Sequence, residues 1–138
     1  MQSPAKKRHH SKQDLELANE INRHIQDIRE SDTLIVVEGT KDKNALLSLG
    51  VANVFALNKM PLYKVVEIVA KKGKECMILT DLDSEGKKLY GKLNHDLQQH
   101  GVRIDNSFRE FLFRHTSLRQ MEGLPRYMRR LEGGEGKL

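Results

Sequence analysis

The chain lacks the usual features of membrane proteins and of disulfide-bonded secreted proteins. It has one cysteine, Cys76, so it cannot form an internal disulfide, and the apolar run around this residue favours packing over reactivity. It contains no run of about 18 consecutive apolar residues, and its opening residues lack the apolar stretch of a signal peptide. We therefore expect a cytoplasmic protein with no membrane segment. The length of 138 residues suits a single domain with its own core.

Positive charge is concentrated at the two ends of the chain. Residues 1–13 carry a net charge of +4 and residues 101–138 a net charge of +3, whereas residues 14–100 hold 12 basic and 14 acidic residues. Basic flanks on a mildly acidic middle suit contact with a phosphate backbone. A short basic terminus is also an ordinary solvated segment. We expect residues 1–13 to form a flexible basic arm and nucleic acid to be the partner.

Short apolar runs alternate with helical patterns along the chain, which is typical of βαβ units. Between the predicted strands lie helices with an apolar stripe on one face, and a further helix, capped by Asp14, precedes the first strand. We therefore predict an α/β fold with a mainly parallel four-stranded sheet and helices on both of its faces. The predicted strands are at residues 33–37, 53–57, 76–80 and 102–104, and the helices at 14–30, 40–49, 61–73 and 84–101.

The predicted elements divide the chain into four parts. An α/β domain over residues 14–104, including the N-terminal helix, follows the basic arm. A basic helical extension is predicted over residues 105–131, with Pro125 dividing it in two. Residues 132–138 are glycine-rich, and we expect them to form a flexible tail.

Acidic residues follow two of the predicted strands. Glu38 comes directly after the first strand, and Asp81 and Asp83 follow the third. The working site of an open parallel sheet lies at the carboxyl ends of its strands, so these acids should meet there. Two carboxylates spaced D-x-D suit Mg²⁺, and Glu38 can then act as general acid or base. A helix cap or a solvated loop acid is the other interpretation, and the spacing alone leaves both open.

These two segments resemble the paired signature of Toprim domains. The first is an apolar strand followed by E-G-x-x-D, from Glu38 to Asp42, and the second is an apolar strand followed by D-x-D-x-E-G, from Asp81 to Gly86. Toprim domains occur in topoisomerases, bacterial primases, OLD-type nucleases, RecR-like repair proteins and the ribonuclease that matures 5S ribosomal RNA. Among these proteins the chain most resembles the ribonuclease, because that enzyme is likewise a compact Toprim protein. The resemblance covers roughly residues 33–104 and implies a Rossmann-like Toprim fold.

The resemblance also implies a role for each acid. Glu38 would be the general acid/base and would join Asp81 and Asp83 around Mg²⁺, with Mn²⁺ as an alternative ion. Gly39 and Gly86 would permit tight turns that a Cβ would crowd.

Further candidate residues lie beside these motifs. Asp42 is either the second acid of the first motif or a helix N-terminal residue favoured by the helix dipole. Many Toprim proteins have a glycine at the end of the second strand, where this chain has Asn58, and asparagine can keep the turn because it tolerates a left-handed backbone. The next residue, Lys59, either contacts phosphate or lies in solvent. Lys87 follows the second motif and is a possible supporting residue.

The predicted C-terminal extension is rich in arginine. The planar guanidinium group suits phosphate, so these side chains are candidates for nucleic-acid binding. The competing interpretation is a helix that packs on the sheet and leaves its arginines in solvent. The candidates are Arg109, Arg114, Arg119, Arg126, Arg129 and Arg130.

Together these features predict Mg²⁺-dependent phosphoryl transfer on nucleic acid, in the form of nuclease-type cleavage of phosphodiester bonds in RNA processing or DNA repair. The alternative is a non-catalytic Toprim module that binds nucleic acid, a ribonucleoprotein or repair proteins. A phosphoacceptor signalling domain would also have acidic residues at its strand ends, but the E-G-x-x-D motif is evidence against this class. Both RNA and DNA fit as substrates, and the sequence predicts no oligomeric state.

Overall fold

The first helix packs an apolar stripe against the rest of the protein. A computed structural model describes residues 11–133, in which helix α1 spans Lys12–Arg29. Ser11 Oγ accepts a hydrogen bond from the Asp14 N–H at 3.0 Å, and the Asp14 carboxylate accepts one from the Ser11 N–H at 3.3 Å. The prediction that Asp14 itself is the N-cap is therefore wrong, because this reciprocal capping box starts the helix earlier. The rest of the predicted arm and most of the predicted tail lie outside the described residues.

The strands form one sheet in which every pairing is parallel. Its order is β2-β1-β3-β4, so β1 and β3 are central neighbours. From β1 the chain moves first to one side of the sheet and then to the other. The carboxyl ends of β1 and β3 therefore border a topological switch point, where open α/β sheets bind ligands. The strands are β1 Leu34–Val37, β2 Val54–Ala56, β3 Glu75–Ile78 and β4 Arg103–Ile104.

Helices cover both faces of the sheet, which confirms the predicted Rossmann-like α/β class. One core layer contains Ile35 and Met77 from the sheet, packed with α1 and the C-terminal helices, and the other contains Val36 and Cys76. Burial raises the pKa of Cys76 to about 12, consistent with a packing role. The crossover helices are α2 Thr40–Ser48, α3 Leu62–Lys72 and α4 Ser84–Gln99. No helix within residues 11–133 is long and apolar enough to cross a bilayer.

The C-terminal segment packs on the same core layer as α1. It forms helix α5 over Ser107–His115, a 3₁₀ turn over Met121–Gly123 and helix α6 over Leu124–Leu131. The prediction that Pro125 divides the helical stretch is wrong. Proline sits in the first turn of α6, where its missing N–H leaves no helical bond unmade. The helices are separated instead by residues 116–120, which have no regular secondary structure and run beside the candidate site.

Candidate functional site

The ends of β1 and β3 bring Glu38 and Asp81 into direct contact. Each acid lies one to three residues beyond its strand, and the strands are paired in parallel. The backbone N–H of Asp81 donates to Glu38 Oε2 at 2.9 Å. Both residues are partly buried, whereas Asp83, two residues further along, is exposed. The acids of the two sequence motifs therefore share one crevice at the carboxyl edge of the sheet.

Backbone donors orient the two aspartates of the D-x-D loop, residues 81–83. Met121 donates its N–H to Asp81 Oδ1 at 2.9 Å, across 40 positions of sequence. Asp83 is the N-cap of α4, and its Oδ1 accepts the Gly86 N–H at 2.8 Å. Within residues 11–133, no hydrogen bond engages Oε1 of Glu38 or Oδ2 of either aspartate. Each carboxylate thus has one oxygen held by a backbone amide and a second oxygen available to a ligand.

Burial and, secondarily, repulsion by neighbouring acids raise the pKa of Glu38 and of Asp81. Burial raises the pKa of Glu38, and the charges of Asp81, Asp42 and Asp83 raise it further, although the Asp81 amide opposes this shift. Burial also raises the pKa of Asp81, and the charges of Asp83 and Glu122 raise it further. Crowded acids of this kind are stabilised by a cation, and their hard oxygen donors match Mg²⁺.

The donor chemistry therefore fits Mg²⁺, but the side chains are not arranged as a closed metal cage. Across the described part of the chain, no group of three or more His, Cys, Asp or Glu side chains is arranged to hold a metal ion. Each of the three acids faces a backbone amide through one oxygen, and Asp83 is turned toward the start of α4. Joint binding by Glu38, Asp81 and Asp83 requires a rotation of these exposed or partly exposed side chains.

Gly86 is required because the backbone approaches very closely at this point. A Cβ placed there would lie 2.0 Å from the Asp81 carbonyl oxygen, and Gly86 O also accepts the Thr80 hydroxyl at 2.8 Å. The expected crowding at Gly39 is not found. Its φ of −144° is open to any residue, and a Cβ would meet Asp42 Oδ2 at an ordinary 3.8 Å. Only the second of the two motif glycines is sterically necessary.

Asp42 acts as a cap of helix α2. It is 8% exposed, and its Oδ2 accepts the Gly39 N–H at 3.0 Å. Burial and the charge of Asp81 raise its pKa, and the amides of Gly39 and Glu122 oppose this. Asp42 therefore fits the interpretation as a helix N-terminal residue, and its charge also raises the pKa of Glu38.

The turn after β2 survives without glycine, as the sequence predicted. Asn58 has a φ of 46° and Lys59 a φ of 65°, so both adopt the left-handed conformation. The Thr40 hydroxyl donates to Asn58 Oδ1 at 3.3 Å, which ties this turn to the start of α2. Lys59 is exposed.

Arg109 lies behind the site and cannot act as a surface contact for nucleic acid. It is 8% exposed, its Nη2 donates to the Asp81 carbonyl oxygen at 2.7 Å, and its guanidinium lies 4.7 Å from the centre of the Tyr90 ring. Its Nε is buried with no hydrogen-bond partner within the described residues. The prediction that groups Arg109 with the nucleic-acid-binding arginines is therefore wrong. The available signal was its position beside Phe108 on the apolar face of α5.

The remaining arginines differ in their surroundings. Arg114 pairs with Glu110 at 3.5 Å on the exposed side of α5. Three others line an open groove of about 400 Å³ that reaches Asp83, and Arg129 lines a second groove between α2 and α6. We call the first the arginine groove. Its lining includes Asp83, Arg119, Arg126, Tyr127 and Arg130.

The 3₁₀ turn contributes to the site, although the sequence does not indicate it. Met121 supplies a backbone amide to Asp81, and the adjacent Glu122 adds negative charge near Asp81 and Asp42. Every residue except proline has the same backbone N–H, so nothing in the sequence marks Met121 as a donor.

Comparisons with known proteins identify the family and fold of this chain. Residues 32–106 match the family model described as the Toprim domain. A UPF0292 protein of Pyrococcus abyssi is 42% identical over 89 residues, covering 64% of this chain and 67% of the relative. A UPF0292 protein of Methanocaldococcus jannaschii is 32% identical over 98 residues, covering 68% and 77%. A protein of known structure from Aquifex aeolicus is 28% identical with a TM-score of 0.64, covering 78% of this chain and 94% of its own.

Proposed function

The chain belongs to the Toprim family, and we propose that it cleaves phosphodiester bonds in nucleic acid with the help of bound Mg²⁺. Toprim domains generally bind Mg²⁺ and act on nucleic acid. One observation carries the proposal: the 2.9 Å contact between the Asp81 N–H and Glu38 Oε2. The proposal is supported because this contact joins Glu38, the candidate proton carrier, to the backbone of the D-x-D loop.

The proposed roles follow from what each side chain can reach. Asp81 and Asp83 would hold the metal through the oxygens that backbone amides leave available, and Glu38 would assist. Bound Mg²⁺ supplies charge stabilisation on the phosphoryl group and a lower pKa for an attacking water. Glu38, partly exposed at the crevice, would accept a proton from the attacking group and return it to the leaving oxygen.

Arg109 is proposed as a positioning residue for this site. Its hydrogen bond to the Asp81 carbonyl fixes the backbone from which the first metal ligand projects. Stacking on Tyr90 holds the guanidinium in place, so Asp81 is supported from the protein interior while its carboxylate faces the crevice.

The substrate backbone would lie in the arginine groove. Arg119, Arg126 and Arg130 line it, and Asp83 forms part of the same lining. Arginine donors beside a metal-binding acid can hold phosphates on either side of the bond to be cleaved.

The second candidate is a Toprim module that binds nucleic acid or a ribonucleoprotein without catalysis. The observation that favours it is that every acid already has a structural partner. Asp83 caps α4, Asp81 fastens the 3₁₀ turn, and Glu38 joins β1 to β3. All three could therefore be retained for folding alone.

Cleavage assays with matched variants distinguish these functions. Labelled structured RNA, single-stranded DNA and duplex DNA are incubated with the protein and Mg²⁺ or Mn²⁺. Glu38→Gln keeps the size of the side chain and an acceptor for the Asp81 N–H, and should lower the cleavage rate by roughly 10²- to 10⁴-fold. Glu67→Gln, an exposed position on α3, is the control and should be unchanged.

The proposal fails if wild-type protein cleaves none of these substrates, or if Glu38→Gln cleaves as fast as wild type. Binding without turnover, retained in an Asp81→Asn/Asp83→Asn double variant, would support the non-catalytic module instead.

A further inference from the structure

We propose that the chain binds an unpaired, single-stranded segment of nucleic acid by stacking a base on Phe113, beside the D-x-D loop. This inference rests on the proposed function only in taking nucleic acid as the substrate. Phe113 is 43% exposed on α5, so its ring is accessible to a ligand. Lys87 Nζ and the Arg119 guanidinium carbon each lie 5.3 Å from the centre of this ring. We call these three residues the aromatic patch.

Backbone hydrogen bonds connect the segment that carries Arg119 to the D-x-D loop of the proposed site. Leu82, the middle residue of the D-x-D loop, donates its N–H to the carbonyl oxygen of Arg119 at 2.7 Å. Two residues later, Met121 donates to Asp81 Oδ1. Lys87 lies near the start of α4, the helix that Asp83 caps. A base on Phe113 would therefore belong to a strand whose neighbouring phosphates lie near the acids.

Positively charged side chains extend from the aromatic patch along the arginine groove. Arg119 belongs both to the aromatic patch and to the arginine groove, in which Arg126 and Arg130 follow. None of these three forms a salt bridge with a carboxylate among residues 11–133, in contrast to Arg114, which pairs with Glu110. Among the described residues, Arg119 Nη1 donates only to the carbonyl oxygens of Thr116 and Leu118. The groove therefore presents positive charge that matches a phosphate backbone.

Single strands suit this surface better than a duplex. Unpaired bases stack on exposed aromatic rings, and basic grooves follow the backbone of such strands. In a duplex the bases stack on one another, so a ring on a helix surface would meet sugar and phosphate instead. A base that stacks on Phe113 displaces one flanking cation, and the exposed Lys87 can turn toward a phosphate.

The test measures binding in EDTA, so that cleavage plays no part. Fluorescence anisotropy with a labelled oligothymidylate of about 12 nucleotides is compared with a duplex of equal length. Phe113→Ala should weaken single-strand binding by about 5- to 150-fold and change duplex binding by less than about twofold. Leu47→Ala is the matched control, because Leu47 is 41% exposed at the far end of α2, and it should change neither affinity.

Two further variants separate stacking from folding. Phe113→Leu keeps an apolar side chain without a ring and should bind as weakly as Phe113→Ala, whereas a merely structural role would be rescued by leucine. The chain has no tryptophan, so F113W introduces a sole reporter. Its fluorescence should be quenched by the oligothymidylate and much less by the duplex.

The inference is overturned if Phe113→Ala binds the single strand within about twofold of wild type, if it loses single-strand and duplex affinity equally, or if F113W is not quenched. Cleavage loss in Glu38→Gln tests the proposed function separately. An inactive protein that still shows the single-strand effect would refute the cleavage function and leave this inference standing.

Discussion

Replacing Gly86 with alanine should open the D-x-D loop and destabilise the protein. The added Cβ would lie 2.0 Å from the Asp81 carbonyl oxygen and 2.6 Å from its carbonyl carbon. Real Cβ atoms essentially never approach other atoms closer than 3.0 Å. The first turn of α4 and the Asp81 backbone must therefore separate by about 1 Å, which neither can do by rotating a side chain.

The size of the effect follows from the bonds that cross this contact. The Thr80 hydroxyl donates to Gly86 O at 2.8 Å, and Gly86 N donates to Asp83 Oδ1 at 2.8 Å. Losing each bond costs about 0.5–1.5 kcal/mol, and overpacking a filled site costs about 1–3 kcal/mol. We expect the free energy of unfolding to fall by roughly 2–6 kcal/mol.

Urea unfolding followed by circular dichroism measures this change. Gly91→Ala is the control in the same helix, since a Cβ there meets no atom of residues 11–133 within 4 Å. Alanine is the better helix former, so Gly91→Ala should stabilise the protein by about 0.5–1 kcal/mol. A free energy of unfolding for Gly86→Ala within about 0.5 kcal/mol of wild type, or an equal loss in both variants, would show that Gly86 is not sterically required.

Three other predictions follow from the same contacts. Asp83→Asn should weaken Mg²⁺ binding, measured by titration calorimetry, and keep the free energy of unfolding within about 0.5 kcal/mol of wild type. Asp83→Ala should weaken Mg²⁺ binding as well, and its free energy of unfolding, measured in urea, should fall by about 1 kcal/mol because the N-cap is lost. Arg109→Lys should lower the thermal midpoint, because lysine cannot both reach the Asp81 carbonyl and lie flat on Tyr90; an unchanged midpoint would contradict the positioning role. The raised pKa values of Glu38 and Asp81 mean that their contribution to stability is fully present below the ordinary values of 4.5 and 3.8 and is lost as pH rises through the raised ones. Mg²⁺ should therefore raise the thermal midpoint more at neutral pH than near pH 4, and this difference should vanish in Asp81→Asn/Asp83→Asn.

The sheet and the placement of the acids followed from local patterns in the sequence. The strands that end before Glu38 and Asp81 are short apolar runs with no polar alternation, and they proved to be central and buried. Parallel pairing then put the residues after both strands at one edge. Capping was harder to predict, because Ser11 and Asp14 are both good caps and only their reciprocal bonds decide between them.

The long-range support of the site could not be predicted from such patterns. The amide of Met121 reaches Asp81 only because residues 116–120 run back along the D-x-D loop. Arg109 has the same side chain as the surface arginines, and packing on the core decides that it is buried while Arg114 is exposed. The Met121 hydrogen bond and the burial of Arg109 both depend on how α5 and the 3₁₀ turn pack on the sheet.

We expect Asp81 and Asp83 to bind a divalent metal ion, and a titration with Mn²⁺ measures this binding. Free Mn²⁺ gives a paramagnetic resonance signal that disappears when the ion is bound, so a titration reports binding without requiring cleavage. Wild-type protein is predicted to remove the signal saturably, and Asp81→Asn/Asp83→Asn, folded to the same extent, is predicted not to. Equal Mn²⁺ binding by both proteins, or none by wild type, would show that these aspartates are not metal ligands.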